Sequence, residues 1–305
     1  VGTVLFAHGV NPVTGQLWVL NTQSINADPL LDSEPEVKGL FSQNRLTLVD
    51  LPPVGGPPAT AHTFVSLDSG PPAPLGKPYQ VSFGSNGAAV IIGALTDNAS
   101  VLAANGAHLA SFTLPEGSIP RGVLFHESAQ RLYVLTWGTN LIQVRSTNQP
   151  GLPVLATLDL GYDPTSPLRQ EGRRIFYDGQ NSLLDNLSCE SCHGEGLFDH
   201  LTWNLSDFPV DDKGALFTQS LKGIEFTKPY HWRGERELGD FNGAFAGVLG
   251  GATLVEQEFA AFEEFVFGLQ NPANPFEDPR RVLNDRRTLG FESDTHERLS
   301  AVHGQ

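Results

Sequence analysis

The chain has two cysteines, Cys189 and Cys192, three positions apart, and His193 follows at once in the run Cys-Glu-Ser-Cys-His. Two thiols at that spacing can add to the two vinyl groups of one porphyrin, which puts the adjoining imidazole under the iron. This is the C-x-x-C-H signature of a covalently attached c-type haem, with His193 as the axial iron ligand. Other chemistries use the same residue types. A redox-active dithiol has this spacing at a helix start, but no βαβ pattern follows it here. A zinc site needs four ligands, so the two cysteines would have to recruit distant histidines. A structural disulfide closing so short a loop stabilises little. One haem c, and redox chemistry with it, is the expectation taken forward.

The other face of the iron then decides the function. Methionine, the usual partner in electron-carrying cytochromes c, is absent from the chain. His231 lies 38 residues after His193, between Tyr230 and Trp232, and is the candidate distal ligand. Alternatively its imidazole bonds a propionate or a backbone carbonyl. His200 is close to His193 in sequence for a swing to the opposite face. His8, His62, His108 and His126 fall among strands and turns, and His296 and His303 lie in the tail. An open or water-occupied iron remains the other alternative. Tyr230, Trp232 and Arg233 are candidate pocket residues, with Arg233 and Arg236 suited to pair with propionates; a solvated charged loop would look the same. Trp203 is a haem-edge or a core aromatic. The oxygen-rich stretch 178–186 is a possible calcium ligand set, although no recognised loop spacing supports it.

Two kinds of segment must position these residues. From Val1 to about Leu160, short apolar runs alternate with turns rich in Gly, Pro, Asn and Asp. A strand–turn–strand unit recurs through 4–20, 79–92 and 122–135, with outer strands at 46–51, 108–114 and 141–145. Its matching positions Leu17 and Ala89 are 72 residues apart, and Ala89 and Leu132 are 43 apart. The second spacing is that of a propeller blade of roughly 40–50 residues. The first fits a blade plus an insertion between Asp28 and Gly39. Three blades cannot close a ring, so further blades upstream are expected, with a β-sandwich as the alternative. After Pro164 the period changes: 168–177 reads as a short helix with Gly172 and Phe176 on one face. Val255, Phe259, Phe262, Val266 and Leu269 step by four and three as an amphipathic helix. That helix stops at Pro272.

The helix pair flanking the haem motif resembles the crossing helices by which small class I cytochromes c enclose their haem. Together with the blade pattern, the fold class this resemblance implies is multidomain: an all-β partial propeller over 1–163, an all-α class I cytochrome c-like haem domain over 164–275, and an extended tail over 276–305. The run Gly172 to Asp178, the Cys-x-x-Cys-His motif, Leu201-Thr202-Trp203, and Lys228 to Gly234 together resemble a bacterial family. Its members fuse a β-propeller to cytochrome c domains related to the di-haem cytochrome c peroxidase and MauG group. The resemblance covers about 172–275. It implies two helices crossing over a haem at Gly172, and it implies redox activity. Two departures limit it: His231 stands one place earlier than the family's histidine, where Trp232 takes its place, and the chain has one haem motif instead of two.

Net charge is −15, with 34 acidic against 19 basic residues. An acidic surface repels phosphate backbones, so nucleic acid is not an expected partner. A redox partner protein, other cytochromes, or further copies of the chain are. No run approaches the roughly 18 apolar residues of a membrane span. No signal peptide is evident, and Val1 reads as the start of a mature or partial chain. Haem attachment to this motif takes place outside the bacterial cytoplasmic membrane, so a periplasmic or extracellular location is expected. Single-electron transfer in the cell envelope is the leading expectation. The alternatives are a peroxidase-like di-haem oxidoreductase with its second haem outside this chain, and a propeller docking module with an accessory haem.

Overall fold

The computed structural model describes residues 2–26, 38–57, 61–68, 74–205, 214–272, 288–292 and 298–300. The insertion expected from Asp28 lies outside these except for its last two residues, as do His296 and His303. The chain divides into two compact units, Val1–Leu269 and Gln270–Gln305. The second contributes an antiparallel pair, Thr288–Glu292 with Arg298–Ser300.

Twelve strands of the first unit form three four-stranded antiparallel sheets, each in strict chain order. Blade one holds β1 (Val4–Val10), β2 (Leu17–Ser24), β3 (Ser42–Val49) and β4 (His62–Ser66). Blade two holds β5 (Pro78–Phe83), β6 (Ala89–Gly93), β7 (Asn98–Leu102) and β8 (His108–Thr113). Blade three holds β9 (Pro120–His126), β10 (Arg131–Thr136), β11 (Leu141–Ser146) and β12 (Val154–Asp159). Meanders of this kind stacked face to face are the blades of a β-propeller. Strand β6 shows why the sequence selects the stack. All five of its residues are buried, and because side chains alternate across a sheet, its two faces enter two different cores. Ala89 and Ile91 pack with Trp18, Leu20 and Leu46 of blade one, whereas Val90 and Ile92 pack with Leu132 and Val134 of blade three. The blade turns are tied to one another as well. Asn11 accepts from the Val13 and Thr14 N–H groups within its own turn and donates to the Gly87 carbonyl of the next blade at 2.9 Å.

The all-α class I cytochrome c-like domain expected after residue 164 does not form. Between Pro167 and Leu269, two helices exceed two turns: α1 (Pro167–Tyr177) and α2 (Glu256–Phe267). Shorter pieces lie between them, including one helical turn at Cys189–Cys192, a short helix at Asn242–Gly247, several 3₁₀ turns, and a ladder pairing Thr202–Trp203 with Leu216–Phe217. The core of the segment is continuous with the blade loops. Phe176, Phe262, Phe265 and Val266 pack into one cluster with Phe41, Leu95 and Ile119, each from a loop of a different blade. Gly and Asn at 179–186, 194–196 and 250–251 break helical propagation, so the chain between α1 and α2 shapes itself on the blade ends. The helix pair itself crosses at Gly172, where an added Cβ would lie 1.9 Å from the Ala261 carbonyl oxygen.

Candidate cofactor site

The Cys-x-x-Cys-His run forms a single helical turn with a built cap. Ser188 Oγ accepts from the Glu190 N–H at 3.2 Å, and Ser191 Oγ accepts from the Ser188 N–H at 3.1 Å. A capping box of this kind satisfies the orphan donors of a helix start, and here it fixes where the two thiols point. The His193 N–H closes the turn on the Cys189 carbonyl at 2.9 Å.

Cys189, Cys192 and His193 lie together on the wall of a cavity of about 620 Å³, within the size range of organic ligand sites. Tyr230, His231 and Trp232 line it as well, 37 to 39 residues beyond His193. Apolar side chains complete it, among them Phe41, Leu221, Phe245, Phe262 and Val266. His193 Nδ1 lies 2.8 Å from the Gln219 carbonyl. A carbonyl only accepts, so Nδ1 carries the proton and Nε2 keeps its lone pair. Burial lowers the His193 pKa, with the Gln219 and Asp199 contacts opposing it, and the neutral imidazole is the form that ligates a metal. A histidine held from behind by a carbonyl is the usual outer-shell arrangement of a metal ligand.

Both cysteines are free. Burial pushes the Cys189 thiol up to about 12 and raises the Cys192 thiol well above its ordinary value, with Asp199 adding to the second. Thiols held protonated in apolar surroundings are inert in disulfide exchange, which weakens the dithiol reading of the motif. Glu190, fully buried on the rear of the turn, is raised to about 7 by burial, against the pull of Lys77.

The remaining candidates separate clearly. Tyr230 is 6% exposed, and its hydroxyl is buried with no hydrogen-bond partner. His231 sits at a left-handed φ of 73° with Nδ1 2.7 Å from Glu235 Oε1, which directs Nε2 away from that carboxylate. The half-exposed Trp232 donates Nε1–H to the Phe217 carbonyl at 2.5 Å. Arg233 is not among the wall residues; Arg236 is. Trp203 lines the cavity, with Nε1–H on Asp199 Oδ2 at 2.9 Å. His200 is outside the wall, its ring against Phe198 at 4.5 Å. His8, His62, His108 and His126 belong to the blade strands. Within 178–186 several polar groups are taken up by protein partners: Asp178 accepts from the Gln180 N–H, Asn181 bonds both backbone groups of Ala252, and Asn186 donates to Asp68. Among the described residues, no group of three or more His, Cys, Asp or Glu is placed to hold a metal ion.

The donor set fits a porphyrin better than a bare ion. Two thiols and one lone-pair imidazole face an apolar cavity, a second histidine stands on the wall, and an orphaned phenol hydroxyl has no partner within the protein. Gln219 and the short loop after the ladder strand Leu216–Phe217 were not legible as part of this site, because a backbone carbonyl leaves no mark in a sequence.

No protein-family model matches the sequence, and comparison with curated proteins gives no match. Among solved structures, hydrazine synthase of Kuenenia stuttgartiensis is similar at 15% identity and a TM-score of 0.38, over 47% of this chain and 45% of that one. The periplasmic gluconolactonase of Pseudomonas aeruginosa is similar at 16% identity and 0.36, over 52% and 43%. The Neurospora crassa Pan2 WD40 domain is similar at 14% and 0.34, over 51% and 38%. The aligned part spans less than half the length of each of these proteins, and the propeller assignment rests on the strand order and blade packing described above.

Proposed function

We propose that the chain is a c-type cytochrome carrying one covalent haem through Cys189 and Cys192, with His193 as one iron ligand and His231 as the other. The observation that carries this reading is the gathering of both thiols, a lone-pair His193 and His231 on one porphyrin-sized apolar cavity. When bound, haem c supplies a one-electron iron couple. The chain's own residues do the rest. Gln219 holds the His193 tautomer, Glu235 orients His231, the apolar wall excludes water, and Arg236 offers a cation to an anionic edge. The haem would sit in a pocket docked on blade ends and not in a separate helical domain. The blades then serve as the platform for a redox partner or for further copies of the chain. Haem attachment of this type places the protein in the periplasm or outside the cell. No helix of the described residues is long and apolar enough to cross a membrane.

The test is expression alongside a c-type haem maturation system, followed by a pyridine haemochrome assay and optical spectra. The expected result is one haem c per chain and a low-spin spectrum unchanged by carbon monoxide, with no covalent haem after Cys189→Ala and Cys192→Ala. His231→Ala is expected to open the iron to carbon monoxide. A wild-type haem that is already high-spin and binds carbon monoxide or peroxide would move the reading to the peroxidase-like enzyme. Absence of covalent haem would overturn it.

A further inference from the structure

Behind the Cys-x-x-Cys-His turn, three charged side chains, Glu190, Lys77 and Arg121, are enclosed between the turn and the blades, and a fourth, the half-exposed Glu195, stands at their edge. Glu190, the residue after the first cysteine, pairs one carboxylate oxygen with Lys77 Nζ. The other oxygen accepts from the Glu195 N–H at 2.8 Å. Lys77, itself buried, directly precedes β5 and donates its backbone N–H to Asn44 Oδ1 at 2.8 Å. Arg121, at the start of β9, lies 2.9 Å from Glu195 Oε1. Its guanidinium packs on the rings of Tyr79, Trp137 and Tyr177 at 4.4, 5.3 and 5.0 Å. The blades thus supply two cations and the turn two carboxylates.

Haem attachment does not call for this. The two residues between the cysteines are free in the motif, yet one of them here is a fully buried acid. Burying an ion pair is seldom more stabilising than an apolar pair of the same volume, and the best-attested return for it is registry. Charges in an enclosed site are also screened far less than in water, so this pair acts on anything bound through the neighbouring side chains.

We propose that Glu190 is a positioning residue. Held by Lys77, it locks the turn bearing Cys189, Cys192 and His193 onto the blades and sets the charge behind the iron ligand, so that the blades tune the redox midpoint of the haem. This rests on the haem reading above. A carboxylate behind the ligand favours oxidised iron, and its paired lysine offsets it. Removing the acid alone therefore leaves the lysine's cation uncompensated and favours reduced iron.

The experiment is a spectroelectrochemical titration of the haem-loaded full chain, with haem content and urea stability measured on each variant. Glu190→Gln is expected to keep its covalent haem and to shift the midpoint to more positive potential, and the double variant with Lys77→Met to bring it back toward wild type. Glu195→Gln, at a half-exposed side chain, is expected to give a smaller shift of the same sign, and it carries the test if Glu190→Gln fails to fold. In a haem-free Cys189→Ala/Cys192→Ala chain, adding Glu190→Gln is expected to speed amide exchange across 188–196. An unchanged midpoint in a fully haem-loaded Glu190→Gln variant, or an equal shift in the double variant, overturns the proposal. So does an unchanged Glu195→Gln midpoint where Glu190→Gln cannot be loaded. A wild-type chain without covalent haem would instead overturn the haem reading, and the amide-exchange arm then still decides whether Glu190 positions the turn.

Discussion

The blades and the segment from Pro167 to Leu269 share one compact unit but are organised by different rules. In a blade, each strand's partner is the next strand along the chain, and successive side chains turn to its two opposite faces. The inner strands Leu17–Ser24, Ala89–Gly93 and Arg131–Thr136 therefore announce themselves. In the later segment the partners are remote. Phe176 stacks against Phe262 and Phe265 at the far end of the segment, and the same cluster takes in Phe41, Leu95 and Ile119 from the blade loops. The two thiols, His193, Tyr230 and His231 are gathered by that second rule. The site is thus built on the blades, and disturbing the blades should be felt at the cavity.

The largest expected effect tests that dependence. Trp18 is fully buried between blades one and two, with its ring edge-on to Phe83 at 5.2 Å. Trp18→Ala should cost about 3–5 kcal/mol through lost burial and the cavity left behind. Because Phe41, Leu95 and Ile119 of the blade loops pack into the core of the segment, its unfolding in urea should shift together with that of the blades. Amide exchange followed separately in 89–93 and 256–267 checks this. Protection lost in the blades but retained in the helix at Glu256–Phe267 would show two independent domains and break the comparison.

The converse substitution starts from the segment. Gly172→Ala must push a methyl group against the Ala261 carbonyl and Phe265 Cβ, the latter 2.7 Å from the ideal Cβ position. Backbone cannot yield as a flexible side chain can, so the cost should reach about 3 kcal/mol, the upper part of the range for overpacking. The helix pair should separate and the cavity loosen. Urea melts, together with the yield of covalent haem, measure this. A variant as stable as wild type would mean that the helices can slide apart at no cost.

Legibility in the sequence follows the same division. The Cys-x-x-Cys-His turn and the pair Gly172 and Phe176 were readable because local spacing carries their chemistry. The outer strands were readable only in part. Val154–Asp159 is exposed at all six positions, so no alternation marks it. Asn98–Leu102 buries the polar Asn98 and Ser100, which reads as a turn and not as a strand. His62–Ser66 is an exposed edge strand beyond a Pro-rich loop. The all-α domain was expected from two helices of the right pattern. What lies between them is ordered by contacts such as the Gly179 N–H on the Leu95 carbonyl at 2.8 Å, which no local pattern encodes. Arg236, and not Arg233, faces the cavity because the chain turns through Gly234 at a φ of 65°, and spacing alone cannot resolve two arginines three residues apart.

The smallest effect concerns the seam between the two regions. Asp97 accepts from the Gly117 N–H at 2.6 Å and the Ile119 N–H at 2.8 Å, tying the turn after β6 to the start of blade three. Burial raises its carboxyl to about 6, backbone N–H groups pull the other way, and Asp178 of the segment adds to the rise. Glu116 and Arg174 stand beside the same small cleft. With the folded pKa above the unfolded one, the native state binds the extra proton between about pH 4 and 6. The stability this group contributes is complete below about pH 4 and is lost as pH rises through about 6. A shift of about two pKa units corresponds to about 3 kcal/mol, and partial exposure of Asp97 reduces that to about 2 kcal/mol. Urea melts of wild type and Asp97→Asn at several pH values isolate the effect: wild type should lose ground to the variant between about pH 4 and 6, and the difference should level off above about 7. A difference that stays constant with pH would mean that Asp97 holds the seam by its backbone bonds alone. Its proximity to Asp178 would then play no part in coupling the blades to the segment.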